Sequence, residues 1–435
     1  MRTLFLGAVA FLSLVAGAQS LTLNEAIQKA YENNPSIQAL DESVQSQKEN
    51  ELAVNRIKFG EVLLNGGVSK SSDANLIRPM TKELISAGFA AMPFDDELTY
   101  WNLDYRVPLF SSGQLKASER IAKSNRTAQS YRLNSLKWGI RYNVTSTYTN
   151  LLAVERELTA WQAYLDALSS LENHIEIGVK NGKYAQLDEL KVRYEVETAR
   201  LQIAGLNQRK KALAASFASL IGENPDKVAG IRLSDVNLDK VPDKIPGISE
   251  LTEIAVQRRS DLKQVKELKN ITQQKLKIAR SARLPKVSLD ARLNAVQGGN
   301  IDYNDRFWSA TVNVSIPVFD MGRRRREVRK AMHGMKAASH QVDAAKLQIQ
   351  SEVIDAVAGV NRASQDVNTA KASLSFANEV AKLEQLKYDN GRGDIDDLLR
   401  AKSREKLAET GLIQARTDYF VAVENLRKTI EGDIK

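Results

Sequence analysis

The sequence repeats itself at a fixed spacing. Trp101 to Gly113, WNLDYRVPLFSSG, has a counterpart in Trp308 to Gly322, WSATVNVSIPVFDMG. Both stretches end in Pro, an apolar residue, Phe, two residues and Gly, and Pro108 and Pro317 lie 209 positions apart. Further on, Gly182 to Leu190, GKYAQLDEL, faces Gly391 to Leu399, GRGDIDDLL, and the pairs Gly182/Gly391 and Asp188/Asp397 are again 209 apart. Two landmarks with one offset mean that the element between them has the same length in both halves, so the chain is an internal duplication. Upstream the offset changes. Lys58 to Val62 matches Arg283 to Val287 at 225, so the first half carries 16 extra residues before Trp101. Insertions collect in surface loops, which places them in the polar stretch around Ser69 to Glu97.

Each half begins with helices and a strand pair. Short helices are expected at Leu23 to Asn33 and Ile248 to Arg258, and longer ones at Pro35 to Ile57 and Asp261 to Ala282. In the second half Val287, Leu289, Ala291, Leu293 and Ala295 alternate with Ser288, Asp290, Arg292 and Asn294. Trp308 to Ile316 alternates in the same way, with Gln297-Gly298-Gly299-Asn300 in the polar connection. Strands of ~10 residues suit a tilted membrane crossing. In the first half Trp101, Leu103, Tyr105 and Val107 alternate clearly, and Val62 to Ser69 is a weaker partner. Tyr100, Trp101, Tyr303, Phe307 and Trp308 gather at one strand end, as expected of an interfacial aromatic girdle.

A long helix follows each hairpin. No proline interrupts Gly322 to Tyr388, and apolar or small residues recur from Val342 through Ile349, Val353, Ala356, Val360 and Val367 to Ala381 in alternating steps of three and four. This seven-residue period implies left-handed supercoiling. At ~1.5 Å per residue, ~67 residues span ~100 Å. Asn181-Gly182 and Asn390-Gly391 stop the long helices, and second helices return over Ala185 to Ile221 and Asp394 to Ile430. The expected layout is therefore a first repeat over 21–225 (hairpin 59–108, helical hairpin 113–221), a linker over 226–247, and a second repeat over 248–435 (hairpin 286–317, helical hairpin 322–430).

Residues 1–20 read as a secretory signal. Arg2 precedes an apolar run from Leu4 to Val15, and Ala16 to Ala18 or Ser20 offers a small-residue cleavage point. No later run reaches the ~18 apolar residues of a spanning helix, so if the mature chain meets a membrane it does so through strands or surfaces. There is no cysteine, which leaves packing or oligomerisation to hold an exported protein together. The net charge of +9 is spread over helices with alternating sign, and with an export signal it does not indicate nucleic acid. Four strands cannot close a membrane barrel, since the smallest have eight. Open edges in lipid are too costly, so a barrel would have to be shared among chains.

The opening LTLNEAIQKAYENNPSI at Leu21 to Ile37, the ARSARLPKVSL entry to the second hairpin, the PLFSSG and PVFDMG exits and the two Gly-x5-Asp turns together resemble the TolC family of outer-membrane efflux proteins. That resemblance implies a homotrimer with a shared twelve-stranded outer-membrane barrel and a periplasmic helical tunnel. Its implied partners are a periplasmic adaptor and an inner-membrane pump, serving drug efflux or protein secretion, with no cofactor. It also implies a gate at the helix turns, with Asp397 on a pore-lining carboxylate ring. Arg400 stands at the place of a second carboxylate, which suggests an Asp–Arg ring. Asp188 and Tyr388 match residues that lock neighbouring helical hairpins, and Arg392 lies one position from a basic partner. Gly182 and Gly391 mark the tips where an adaptor would dock.

The run Arg323 to Arg326 follows the second hairpin. Cations disfavour a helix start, so the run is not expected to serve helix stability. A lipid-headgroup contact and a solubilising role both fit it. The histidines His174, His333 and His340 form no metal pattern, and no nucleophile motif or phosphate loop is present, so an enzyme is not indicated. A periplasmic coiled-coil adaptor or scaffold is the alternative. It explains the helices but not the two alternating hairpins.

Overall fold

The computed structural model describes residues 20–225, 232–238 and 245–434. The expected signal segment before Ser20 and parts of the linker lie outside them. In chain order the elements are α1 (Leu23–Asn33), α2 (Pro35–Arg56), β1 (Glu61–Leu76), α3 (Lys82–Ala87), β2 (Phe94–Phe110), α4 (Gln114–Lys180), α5 (Gln186–Ile221), α6 (Ile248–Arg258), α7 (Ser260–Ser281), β3 (Lys286–Gly298), β4 (Asn304–Ser315), α8 (Arg323–Asp389) and α9 (Ile395–Ile430). They fold into two compact units. One holds the described residues within 1–40, 133–260 and 347–435, and the other holds 41–132 and 261–346. Both repeats contribute to both units.

The duplication is written into the backbone. Left-handed residues come in pairs at the same offset: Ser112 (φ 50°) with Met321 (54°), Gly113 (81°) with Gly322 (82°), Gly182 (70°) with Gly391 (69°), and Gly222 (69°) with Glu431 (46°). Gly182, Gly391, Gly222 and Glu431 follow helices, where a left-handed residue releases the chain, while Ser112–Gly113 and Met321–Gly322 turn the chain from a strand into α4 and α8. Both long helices have 67 residues and both return helices have 36.

In the unit built from 1–40, 133–260 and 347–435, α1 packs on α4 and α5 through Ala26, Ala30, Val144, Tyr148, Phe217 and Ile221, all fully buried. Thr22 and Glu25 close a reciprocal cap at the start of α1. The buried Tyr148 hydroxyl shares its one hydrogen between the carbonyls of Leu21 and Ser234 (2.6 and 2.8 Å). It ties the N-terminal segment to the linker, where Leu21 bridges Leu233. Burial pushes the Tyr148 phenol up to about 12. On α8 the expected seam is buried in part: Ile349, Val353, Ala356, Val360, Ala363, Val367 and Ala381 lie inside this unit, whereas Ala370, Leu374 and Ala377 are half-buried.

The other unit contains one antiparallel sheet in the order β1-β2-β3-β4, which leaves β1 and β4 as edges. The expected loop at Ser69 to Glu97 is corrected. β1 runs on to Leu76 and β2 starts at Phe94, so the connection is confined to 77–93 and contains α3. The cause is cross-strand pairing of polar residues. Lys70 sits opposite Glu97 and binds it at 3.3 Å, and after a bulge Asn75 pairs with Asp95. Likewise Gln297 and Gly298 belong to β3 rather than to the turn. No helix among the described residues is long and apolar enough to cross a membrane.

Candidate functional site

Two places concentrate polar chemistry: the pair of helix turns in one unit and the sheet in the other.

Both turns are built alike. The Gly182 amide donates to Val179 and the Lys183 amide to Gly178 (3.0 and 2.8 Å), while Gly391 donates to Tyr388 and Arg392 to Lys387 (3.0 and 2.9 Å). This is the wrapped helix end that a left-handed glycine permits. Beneath the turns Ile175, Val192, Val196, Ile395, Leu398 and Leu399 form one apolar core. Asp394 accepts from the Asp396 amide (2.9 Å) at the start of α9, and Lys191 of α5 lies 3.7 Å from it. Those contacts hold the Asp394 carboxyl below its usual range, the helix-start amide being the larger cause.

A cavity of about 740 Å³ opens among His174, Lys183, Tyr184, Asp188, Tyr388 and Arg392. The structure thus brings together three of the expected gate residues, Asp188, Tyr388 and Arg392, with Gly391 on the same wall. Asp188 uses its carboxylate on its own helix start, accepting from Ala185 at 3.3 Å. The Tyr388 hydroxyl is buried and makes no regular hydrogen bond among the described residues. Its phenol is pushed up by burial first, then by the adjoining Tyr184 hydroxyl and the Asp188 charge. Asp397 is exposed and outside this cavity. Arg400 pairs with Asp396 at 2.5 Å rather than with Asp397. Tyr184, and His174 as a neighbour of the gate residues, are not indicated by the sequence. His174 Nε2 meets the Tyr184 hydroxyl at 3.4 Å, and the Tyr184 ring lies so close to Gly178 that no Cβ fits there. Only the folded turn creates that proximity.

The sheet has two chemically opposite faces. The register places Leu64, Leu103, Leu293 and Trp308 in one row, and Val62, Tyr105, Ala291 and Ala310 in the next. Val287, Leu289, Val312 and Val314 extend this apolar face, and at its other end Arg306 sits opposite Ala295. The other face carries a polar ladder. Asn65 donates to Asp104 (2.8 Å), Arg292 pairs with Asp104, Arg106 pairs with Asp290 (2.8 Å), and Asn313 donates to Asp290. The expected aromatic girdle is corrected in part. Trp101 and Trp308 lie on the apolar face, but alternation turns Tyr100 and Phe307 to the polar one. A second aromatic belt, missed in sequence, stands at the opposite strand ends. The Tyr105 hydroxyl donates to the Phe59 carbonyl (3.0 Å), and Phe59, Phe110 and Phe319 are exposed.

The arginine run begins α8. Asp320 accepts from the amides of Gly322 (3.1 Å) and Arg324 (3.0 Å), and the Arg324 guanidinium returns to it at 3.2 Å. Arg324 therefore does help to fix the helix start, against the expectation for the run. Arg323, Arg325 and Arg326 remain exposed.

A family model described as outer membrane efflux protein matches residues 26–223 and again 251–431, once per repeat. Outer membrane protein OprJ of Pseudomonas aeruginosa is 26% identical over 242 residues, 54% of this chain and 50% of OprJ, so the chain spans half the length of that relative. Outer membrane efflux protein BepC of Brucella suis is 22% identical over 420 residues, 93% of this chain and 84% of BepC. Among solved structures, the Campylobacter jejuni CmeC outer membrane channel superposes with a TM-score of 0.80 at 17% identity, covering 95% of this chain and 86% of CmeC.

Proposed function

We propose that this chain, which belongs to the outer membrane efflux protein family, is one third of a passive exit duct through the outer membrane. The chain is an outer-membrane protein with the family's fold of long helical hairpins and a four-stranded sheet. Three copies would join β1 of one chain to β4 of the next and close twelve strands, the apolar face toward lipid and the polar ladder toward water. The observation that carries this proposal is the sheet itself: one apolar face, one charged face and two unpaired edges. Edges of that kind are prohibitive in lipid unless another chain pairs with them. A coiled-coil adaptor would leave the apolar face unexplained.

The two helix turns would form the periplasmic gate and the docking point for an adaptor, which would couple the duct to an inner-membrane pump. Asp188 and Tyr388 would lock neighbouring helical hairpins with help from Arg392. Asp397, with Arg400 a turn away, would ring the opening. The buried Tyr388 hydroxyl, which has the adjoining Tyr184 hydroxyl beside it but makes no regular hydrogen bond among the described residues, supports the lock, since a buried donor costs free energy until something fully receives it. Exposed Arg323, Arg325 and Arg326, next to the belt of Phe59, Phe110 and Phe319, would meet lipid headgroups. Mass measurement of the detergent-extracted protein tests the assembly. A trimer that needs detergent to leave the membrane is expected. A protein washed off by salt, or a monomer, would refute the duct.

A further inference from the structure

The connection 77–93 crosses the polar face of the sheet. It leaves edge strand β1, where the Ile77 amide bonds the Pro93 carbonyl at 3.0 Å. The next residue, Arg78, forms an ion pair with Asp305 on β4, the opposite edge. The Arg78 guanidinium lies 6.0 Å from the centre of the Phe307 ring. Phe307 is paired with Asn294 and shares its face with Asp290 and Arg292. The chain therefore passes over the side that carries the charges, with Ile77 and Val296 buried. The Tyr303 hydroxyl donates to the same Asp305 (3.0 Å), fixing the anchor. Beyond it the connection carries three large apolar side chains in the open: Met80 (56% exposed), Ile85 (59%) and Phe89 (84%).

We infer that three copies of this connection meet across the barrel axis and form an apolar constriction at the outer mouth. The inference rests on the duct proposed above, and it adds a second closure distinct from the helix turns. Inside a closed ring these side chains cannot reach lipid, because the strands stand between. The occupant of each patch is then the same patch on the other two chains, where the exposed apolar surface is withdrawn from water. A ring of Phe89, Ile85 and Met80 would empty of water when narrow and so block ions without any charged latch. The second hairpin turn, five residues long, has no such insert. The closure is thus the use to which the longer first hairpin is put.

Phe89→Cys tests this in a chain with no cysteine of its own. A short, membrane-impermeant bis-maleimide added to intact cells should join the chains into covalent dimers, and Phe89→Ser with Ile85→Ser should give larger single-channel conductance steps in planar bilayers. A trimer that conducts, in which Phe89→Cys is modified singly and the Ser variant conducts unchanged, would overturn the constriction alone. Quenching of a fluorophore on Phe89→Cys by brominated lipid would do the same by placing the loop in the outer leaflet. Absence of any trimer or pore would overturn the duct and the constriction together.

Discussion

Glu431 reaches back 171 residues to accept the Ser260 amide (3.0 Å) and hydroxyl (2.6 Å), so the end of α9 caps the start of α7. It does so from a left-handed conformation, φ 46°, where the first repeat has Gly222. In that repeat Asn34 does the equivalent work at the start of α2, accepting from Ser36 (2.9 Å) and donating to Leu220 (3.0 Å). The second repeat thus keeps a strained glutamate for its carboxylate.

Glu431→Ala should lose the cap and keep the strain, costing about 1–2 kcal/mol. Glu431→Gly loses the cap but relieves the backbone, so it should cost less. Chemical unfolding followed by helical dichroism measures both. Equal stability of Ala and Gly variants would mean that the left-handed backbone carries no strain.

The two sheet faces should differ in tolerance. Arginine at Leu293 or Val312, on the apolar face, should destabilise by roughly 2–4 kcal/mol near mid-bilayer. Arginine at Ser309 or Asn313, among the charged ladder, should be accepted. Refolding yields into lipid vesicles distinguish them, and equal losses on both faces would indicate a sheet in water.

Acid should loosen the helix turns. Asp394 is held below its ordinary range when folded, so its contribution is present above about pH 4 and is lost as pH falls through the folded value. Protection of the Asp396 to Leu399 amides, measured against the intrinsic exchange rate at each pH, should fall with acidification in the unaltered chain. Asp394→Asn can still cap, but its protection should respond far less to pH. An unchanged pH response in that variant would move the titration elsewhere.

The gate residues should separate by readout. Tyr388→Phe removes a hydroxyl that makes no regular hydrogen bond among the described residues, so folding should be preserved. Combined with Asp188→Ala it should raise single-channel conductance, since a tyrosine–carboxylate bond is worth about 1.5–3 kcal/mol. Asp397→Asn should reduce cation selectivity under a salt gradient and leave assembly intact. A double variant that conducts as before would remove the lock, and an unmoved reversal potential would take Asp397 off the pore.

The helices were legible because their ends are punctuated. Asn181-Gly182 and Asn390-Gly391 placed the turns, Pro35 placed the start of α2, and the observed bounds agree within a residue or two. Less could be read where neighbours decide. Ser69 to Asn75 looks like loop because it is polar, but Lys70 finds Glu97 across the strand and extends β1. Clustering in sequence suggested one aromatic girdle, yet alternation splits Tyr100 from Trp101 and Phe307 from Trp308. The companions of Tyr388 at the turn, Tyr184 and His174, come from the other repeat, and no linear pattern joins them.

Sharing of the barrel between chains can be tested most directly at the edges. Within one chain β1 and β4 are separated by β2 and β3, three strand spacings or ~14 Å, so a disulfide between them cannot form inside a single sheet. Cysteine at Leu64 or Val68 on β1, combined in turn with cysteine at Ala310, Val312 or Val314 on β4, surveys the inter-chain register in a cysteine-free background. At one matching pair, oxidation in the membrane should yield a covalent trimer that survives boiling in detergent and reverts to monomer on reduction. Monomers alone at every pair, or ladders that pass beyond three chains, would contradict a closed ring of three.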